Sequence, residues 1–308
     1  MSINLIYEAF KKEFDVVGII DSEKYIKNAN ELSIKIPEVK YNKIISLGLA
    51  YPKRILTNTK DKLYGSIYTF GRDYHLVMKE KIQKVMKNFD YEYQLGVDNH
   101  PHNDRLAAFS SGIGFLGKNQ LIINKDFGSF IFLGMVFVNI KEGLEILVDN
   151  FDSCGDCRIC IDACPTNALS EKGYDSYKCI SNFNQEKRPL SIEEIKANYC
   201  LFGCDICQLV CPKNINIKQS KLEYFKLSGK EGVDILDLFK LSEKEFKEKY
   251  SEMAYNWKGK TILLRNALTI LLRQNNYKYN DLIEESLKKY QSPWFQETAK
   301  LIFKELKK

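Results

Sequence analysis

CGDCRICIDACP at residues 154–165 and CDICQLVCP at 204–212 decide how this chain is read. Cys154, Cys157, Cys160 and Cys164 stand at C-x2-C-x2-C-x3-C, and Cys204, Cys207 and Cys211 at C-x2-C-x3-C, each run closed by a proline. This is the ligand spacing with which bacterial two-cluster iron–sulfur proteins hold a pair of four-iron four-sulfur cubanes. Three closely spaced thiolates grip one cube, and the fourth Cys, one helical turn further on, reaches the other. The crossed rule gives Cys154, Cys157, Cys160 and Cys211 to one cluster, and Cys164, Cys204 and Cys207 to a second that still lacks a ligand. The position three residues before Cys204 is Leu201, so Cys179 and Cys200 are both open by spacing. Zinc ribbons would leave the x3-C-P endings unexplained, and a disulfide framework does not suit a reducing compartment.

All nine Cys fall between residues 154 and 211, so they form a local device and not a scattered scaffold. The 308 residues leave room for two or three domains, and 44% apolar with 28% charged residues is ordinary for a water-soluble globular protein. The opening MSINLIYEAFKKEF carries no signal-peptide core, and no apolar run approaches the roughly 18 residues of a membrane span. A cytoplasmic protein without membrane contact is expected. The net charge of +6 is uneven: residues 212–308 hold 20 Lys/Arg against 13 Asp/Glu. A basic C-terminal segment suits an acidic partner such as RNA, or is a solvated helical surface.

Upstream of the cysteines the pattern is α+β. Residues 3–15 read as an amphipathic helix and Lys43 to Tyr51 as a buried strand. Met78, Ile82, Val85 and Phe89 repeat at helical spacing, and Tyr93, Leu95 and Val97 then alternate as in a half-buried strand. Asp98 therefore sits where a strand gives way to the loop HPHNDR, and Asn103 is placed to cap a short helix. A carboxyl at that strand end, partly desolvated, suits a proton donor; the plainer role is capping the turn. His100 and His102, on either side of Pro101, suit a metal or simply face solvent, while Arg72 and Tyr74 start a helix. The glycines of SGIGFLGKNQ (111–120) do not match a phosphate loop. A turn that lets backbone approach a flat ligand accounts for them as well. Downstream, Ser191 to Glu194 and Ser242 to Glu245 are capping boxes. The chain ends in helices near 260–273, 279–290 and 293–307, with Pro293 at a first helical position. Such a series suggests a short α-solenoid.

Taken together, SLGLAYP (46–52), FGRDYH (70–75), Val97-Asp98, SGIGFLGKN (111–119), CIS (179–181), GCDICQLVCPKN (203–214) and LLRNAL (263–268) resemble the epoxyqueuosine reductase family. The resemblance implies a cobalamin-binding α+β catalytic domain over 1–145, a ferredoxin-like domain with two 4Fe-4S clusters over 146–220, and a HEAT-like helical segment that contacts tRNA over 221–308. It implies reduction of epoxyqueuosine to queuosine at the wobble position of tRNA, with electrons passed from the clusters to the corrinoid and Asp98 as proton donor. It makes Cys179 the eighth cluster ligand and leaves Cys200 spare. It places Asn119, Ile122, Ser181 and Asp205 around cobalamin, and Lys187, Arg188 and Arg265 near tRNA. A flavodoxin- or ferredoxin-type electron donor and a monomeric state are expected. The chain departs from the family at 97–105, where VDNHPHNDR replaces a loop close to VDTGPLLER. A shortened paralogue reducing a small molecule, and a plain ferredoxin-type electron carrier, are the alternative functions.

Overall fold

The computed structural model describes residues 3–141, 145–148, 152–220 and 222–307. They gather into two compact units, each assembled from separate stretches of chain, where three consecutive domains are expected from sequence. The first unit comprises Met1–Lys53, Tyr74–Arg158 and Val210–Leu222; the second comprises Arg54–Asp73, Ile159–Leu209 and Glu223–Lys308.

The first unit is built on a four-stranded antiparallel sheet in the order Val16–Asp21, Lys43–Ala50, Ile131–Val138, Tyr93–Gly96. Every residue of Lys43–Ala50 is buried, as suits a largely apolar central strand covered on both faces. The helices Ile3–Lys11, Ser22–Glu31, Tyr74–Met86 and Asp104–Ser110 pack around this sheet. Asn103 caps the last of them: its side chain accepts from Leu106 N at 3.0 Å, as expected from sequence. The segment after Cys211 is tied into the same unit. Asn214 is fully buried, accepts from Ser129 N at 2.8 Å and donates to Ser129 Oγ at 2.8 Å. Gly128 makes room for it; a Cβ there would stand 2.0 Å from Asn214 Oδ1, and its φ of +56° favours glycine.

The second unit is mainly helical. The helices Lys260–Arg273, Asn280–Lys289 and Pro293–Leu306 pack on one another, with Pro293 in the first turn as expected. Both capping boxes form, at Ser191 with Glu194 and at Ser242 with Glu245. One core runs from Phe183, Ile195 and Phe202 through Tyr255, Leu264 and Leu268 to Phe295 and Ile302. The helix Lys260–Arg273 is buried on nearly every face. Its polar residues act inward on the cysteine-bearing segment: Asn266 Nδ2 donates to Asn184 O at 2.7 Å and Leu201 O at 2.9 Å, and Thr269 accepts from Asn198 at 2.8 Å. No helix among the described residues is long and apolar enough to cross a membrane.

Candidate functional site

All nine cysteines are free thiols. In the first unit Cys211 and Cys154 pack against Phe115 and Ile123. The Cys211 thiol is raised by burial first, then by Cys154 and Cys157 beside it. Lys118 N donates to Cys154 Sγ at 3.4 Å. In the second unit Cys160, Cys164 and Cys207 share a small apolar cluster with Ile161 and Leu169. Burial pushes the Cys204 thiol up to about 12, with Cys179 adding to the rise, and lifts Cys207 further, where Cys204, Cys179, Cys160 and Cys164 all contribute. Cys164 is instead lowered: burial raises it, but backbone N–H groups of Leu169 and Thr166, then Thr166 Oγ1, then Ala168 N–H outweigh burial. Cys204, Cys207 and Cys211 are held toward the neutral thiol by burial and by their neighbours, and iron replacing their protons relieves that cost. The donor set fits the clusters.

Cys179 and Cys200, equivalent by spacing, differ in surroundings. Cys179 is close enough to Cys204 and Cys207 to raise both thiols. Cys200 is 3% exposed and donates to Phe202 O at 3.3 Å. Anaerobic reconstitution of Cys179→Ser is expected to lose about half of the roughly eight irons that two cubanes hold, and Cys200→Ser to keep them all. Iron and sulfide assays check this, and equal loss in both variants would reverse the choice.

Asp98 is held by strand, turn and helix in succession. Val97 is buried as an anchor, and Gly96 leaves space for the His100 ring, whose Cγ would lie 2.9 Å from a Cβ at that position. The chain then reverses at Asp98, whose φ of +52° is left-handed, and His100 N donates back to Asp98 O at 2.5 Å. Such a bend in a non-glycine residue costs roughly 1 kcal/mol and is found where the surroundings impose it. It turns the carboxylate toward His75, on the first turn of Tyr74–Met86, with Nε2 to Oδ2 at 3.1 Å. No spacing in the sequence connects His75 with Asp98. Tyr74 stacks on Phe132 at 4.1 Å between ring centres. Asp98, Tyr74 and Phe132 line an open cavity of about 470 Å³, along with His100, Asp104 and Lys35.

Two further residues of this loop differ from expectation. His102 does not face solvent: it is 7% exposed and packs on Phe137 at 4.5 Å, with Tyr25 edge-on at 6.1 Å. His100 Nδ1 accepts from His102 N at 3.2 Å, and burial lowers both imidazoles below their usual value. Asp104, which in the sequence is only the residue after a cap, lines the cavity and is raised to about 6. Burial is the main cause, opposed by Arg105 and assisted by Asp98. An acid raised in the folded state contributes stability that is complete below its unfolded value near 3.9 and is lost as pH rises through about 6. Asp104→Asn is therefore expected to be more stable than the parent at pH 7.5, by about 1–2 kcal/mol, with that advantage shrinking toward pH 4. Denaturant titrations across this range check it, and a pH-independent difference would contradict it.

Asn119 ends the glycine loop of the first unit. It is 6% exposed; its Oδ1 accepts from Leu121 N at 3.2 Å, and its Nδ2 is buried without a partner. A buried amide donor left open is costly, and an acceptor on a ligand removes that cost. Ile122 is buried against Gly114, whose Cβ would lie 2.6 Å from Ile122 Cγ2. In the second unit Ser181 O accepts from Gln185 Nε2 at 2.7 Å. Asp205 is buried, accepts from Ser66 Oγ and from Ile67 N at 3.0 Å, and is raised to about 6 by burial against those two bonds.

The expected tRNA-facing residues separate. Lys187 is exposed. Arg188 is half-buried and already paired with Glu186 and Glu194. Arg265 requires correction: it is fully buried, and its guanidinium donates to the carbonyls of Glu186 at 2.6 Å, Arg188 at 2.9 Å and Phe183 at 3.2 Å. It fastens a loop and presents nothing to RNA.

The paired cysteine runs on a mixed α/β scaffold define an iron–sulfur oxidoreductase. Residues 153–214 match the 4Fe-4S double cluster binding domain, and residues 36–100 match the family described as "Epoxyqueuosine reductase QueG, DUF1730". The epoxyqueuosine reductase of Lactococcus garvieae is 33% identical over 264 residues, covering 80% of this chain and 74% of that protein. That of Staphylococcus aureus is 33% identical over 286 residues, covering 87% and 72%. The Bacillus anthracis protein is 36% identical, over 74% of this chain and 63% of its own length. The structure of epoxyqueuosine reductase from Streptococcus thermophilus superposes with a TM-score of 0.85 at 28% identity, covering 100% of this chain and 91% of that one. An epoxyqueuosine reductase solved with an epoxyqueuosine-modified tRNA stem loop gives 0.79 at 25% identity, over 99% and 98%. The chain belongs to the epoxyqueuosine reductase family.

Proposed function

We propose that this chain reduces epoxyqueuosine to queuosine at the wobble position of tRNA anticodons, using two 4Fe-4S clusters and cobalamin. The observation that carries the reading is Asp98, bent out of its strand to meet His75 on the wall of an open cavity faced by flat aromatic rings. Cys154, Cys157, Cys160 and Cys211 would hold one cluster, and Cys164, Cys179, Cys204 and Cys207 the other. Asn119 would hold cobalamin through its unpaired amide, and Ile122, Ser181 and Asp205 are the further contacts the resemblance implies. When bound, cobalamin supplies the reducing chemistry at the epoxide carbon.

The chain's own residues then have simple roles. Asp98 passes a proton to the opening epoxide oxygen, and His75, which fixes the orientation of the carboxyl, returns a proton to it so that a second transfer lets the oxygen leave as water. Tyr74 and Phe132 offer a flat wall suited to an unstacked base. Lys187 and the basic C-terminal helices would hold the anticodon phosphates. Arg188 joins them only by exchanging its carboxylate partners. The organisation expected from sequence is retained as a functional division: cobalamin domain, ferredoxin-like domain and HEAT-like tRNA-contacting segment. A flavodoxin or ferredoxin would supply electrons to a cytoplasmic monomer. The test is anaerobic incubation of cluster-loaded protein and cobalamin with epoxyqueuosine-containing tRNA, followed by nucleoside analysis. Queuosine should form; an unchanged epoxide with both clusters and cobalamin bound would overturn the reading.

A further inference from the structure

Backbone N–H groups reach cysteines of both groups, and the second group receives a side-chain hydroxyl as well. In the first unit, the donors to Cys154 and Cys211 are backbone N–H groups, from Lys118 and Lys213. In the second unit, the Tyr199 hydroxyl donates to Cys204 Sγ at 3.5 Å. The same oxygen accepts from Asp205 N at 2.8 Å, which fixes the phenol from behind and leaves its single proton directed at the sulfur. A phenol has an ordinary pKa near 10, so the proton is present throughout the working range. The Tyr199 backbone is held too: its carbonyl accepts from Asn58 Nδ2 at 2.9 Å. Thr166 Oγ1 stands 3.7 Å from Cys164 Sγ, a longer contact whose donor either atom can be.

Cluster potentials respond to hydrogen bonds on sulfur and to solvent exposure. Reduction adds negative charge to the cluster and its thiolates, so a donor aimed at one of them stabilises the reduced form and raises the potential. We propose that the Tyr199 phenol is the residue that sets the second cluster's reduction potential above its unassisted value, through its bond to Cys204. The proposal rests on the ligand reading given above, in which Cys204 binds the second cluster. Tyr199 also lines an open groove of about 790 Å³ with Pro165, Lys196, Ile206 and Arg273. The ring thus forms part of an open surface while the hydroxyl meets the sulfur. Tyr199→Ala would remove both. Tyr199→Phe keeps the ring and removes only the proton.

The experiment is an EPR-monitored redox titration of the cluster-loaded protein, in the parent, in Tyr199→Phe, and with 3-fluorotyrosine at position 199. Loss of the bond in Tyr199→Phe should move one cluster midpoint down and leave the other in place. Fluorination acidifies the phenol and strengthens the donor, so the same midpoint should move up. Tyr177→Phe is the control: that ring is 76% exposed two residues before Cys179, and neither midpoint should change. Unchanged midpoints in fully loaded Tyr199→Phe would overturn the proposal, as would equal movement of both clusters. Should the Phe variant fail to load, the fluorinated protein decides by the sign of its shift. Iron content of the parent, measured first, separates this from the ligand reading: a parent holding only one cluster overturns both.

Discussion

Asp98→Asn, loaded with both clusters and cobalamin, is expected to convert epoxyqueuosine about 10²- to 10⁴-fold more slowly than the parent, the range lost with a positioned general acid. Asn is the substitution that isolates the proton. It is nearly the same size as Asp and tolerates the left-handed conformation that φ of +52° imposes, whereas Ala would add backbone strain. The Asn amide still meets His75 across 3.1 Å if that ring accepts, so the loop stays in place while the acidic proton is gone. tRNA affinity should therefore hold while the chemical step slows. His75→Ala is expected to cost less, roughly 10- to 100-fold, because it removes orientation and leaves the acid. Single-turnover nucleoside analysis separates these. Full activity in Asp98→Asn would leave the proposed acid without a role and transfer attention to Asp104, the second carboxyl lining the cavity.

Much of the site is legible in the amino-acid order alone because its signals are local. The C-x2-C-x2-C-x3-C-P run, the Ser191 and Ser242 capping boxes and the Asn103 cap each depend on residues within one or two turns, and all of the caps form. What escapes is tertiary. His75 and Asp98 are 23 residues apart and meet only because a helix start and a strand end converge on one cavity. Asp104 reads as an ordinary first-turn acid; its raised pKa comes from burial that the fold imposes. The boundaries at 53, 73, 158, 209 and 222 carry no glycine- or proline-rich linker, so nothing in composition marks where the chain passes from one unit to the other. Arg265 does leave a signal. In LLRNALTILL it is flanked at i−3 by Ile262 and at i+3 by Leu268, which puts the guanidinium on an apolar face, where a cation stays only with partners.

Those partners make Arg265→Ala the second large effect: a loss of about 3–5 kcal/mol in stability, together with loss of the second cluster. The guanidinium satisfies the carbonyls of Phe183, Glu186 and Arg188, at and just beyond the C-terminal end of the short helix Ile180–Phe183, where intrahelical donors run out. Removing it orphans buried acceptors at about 1–3 kcal/mol each, and also the contact of its Cζ with the Trp294 ring at 5.5 Å. Burial lowers the guanidinium to about 10, with Arg188 adding to the fall. The pinned loop follows the short helix whose N-cap is Cys179, so freeing it is expected to loosen the ligand proposed there. Arg265→Lys keeps the charge but not the fork, and should recover only part of the loss. A direct phosphate contact predicts a different outcome: unchanged stability, full iron content, and a salt dependence of tRNA binding shallower by about one ion. Denaturant titration, iron assay and binding at several salt concentrations separate the two cases. An Arg265→Ala protein as stable as its parent, with both clusters, would return this residue to the RNA surface.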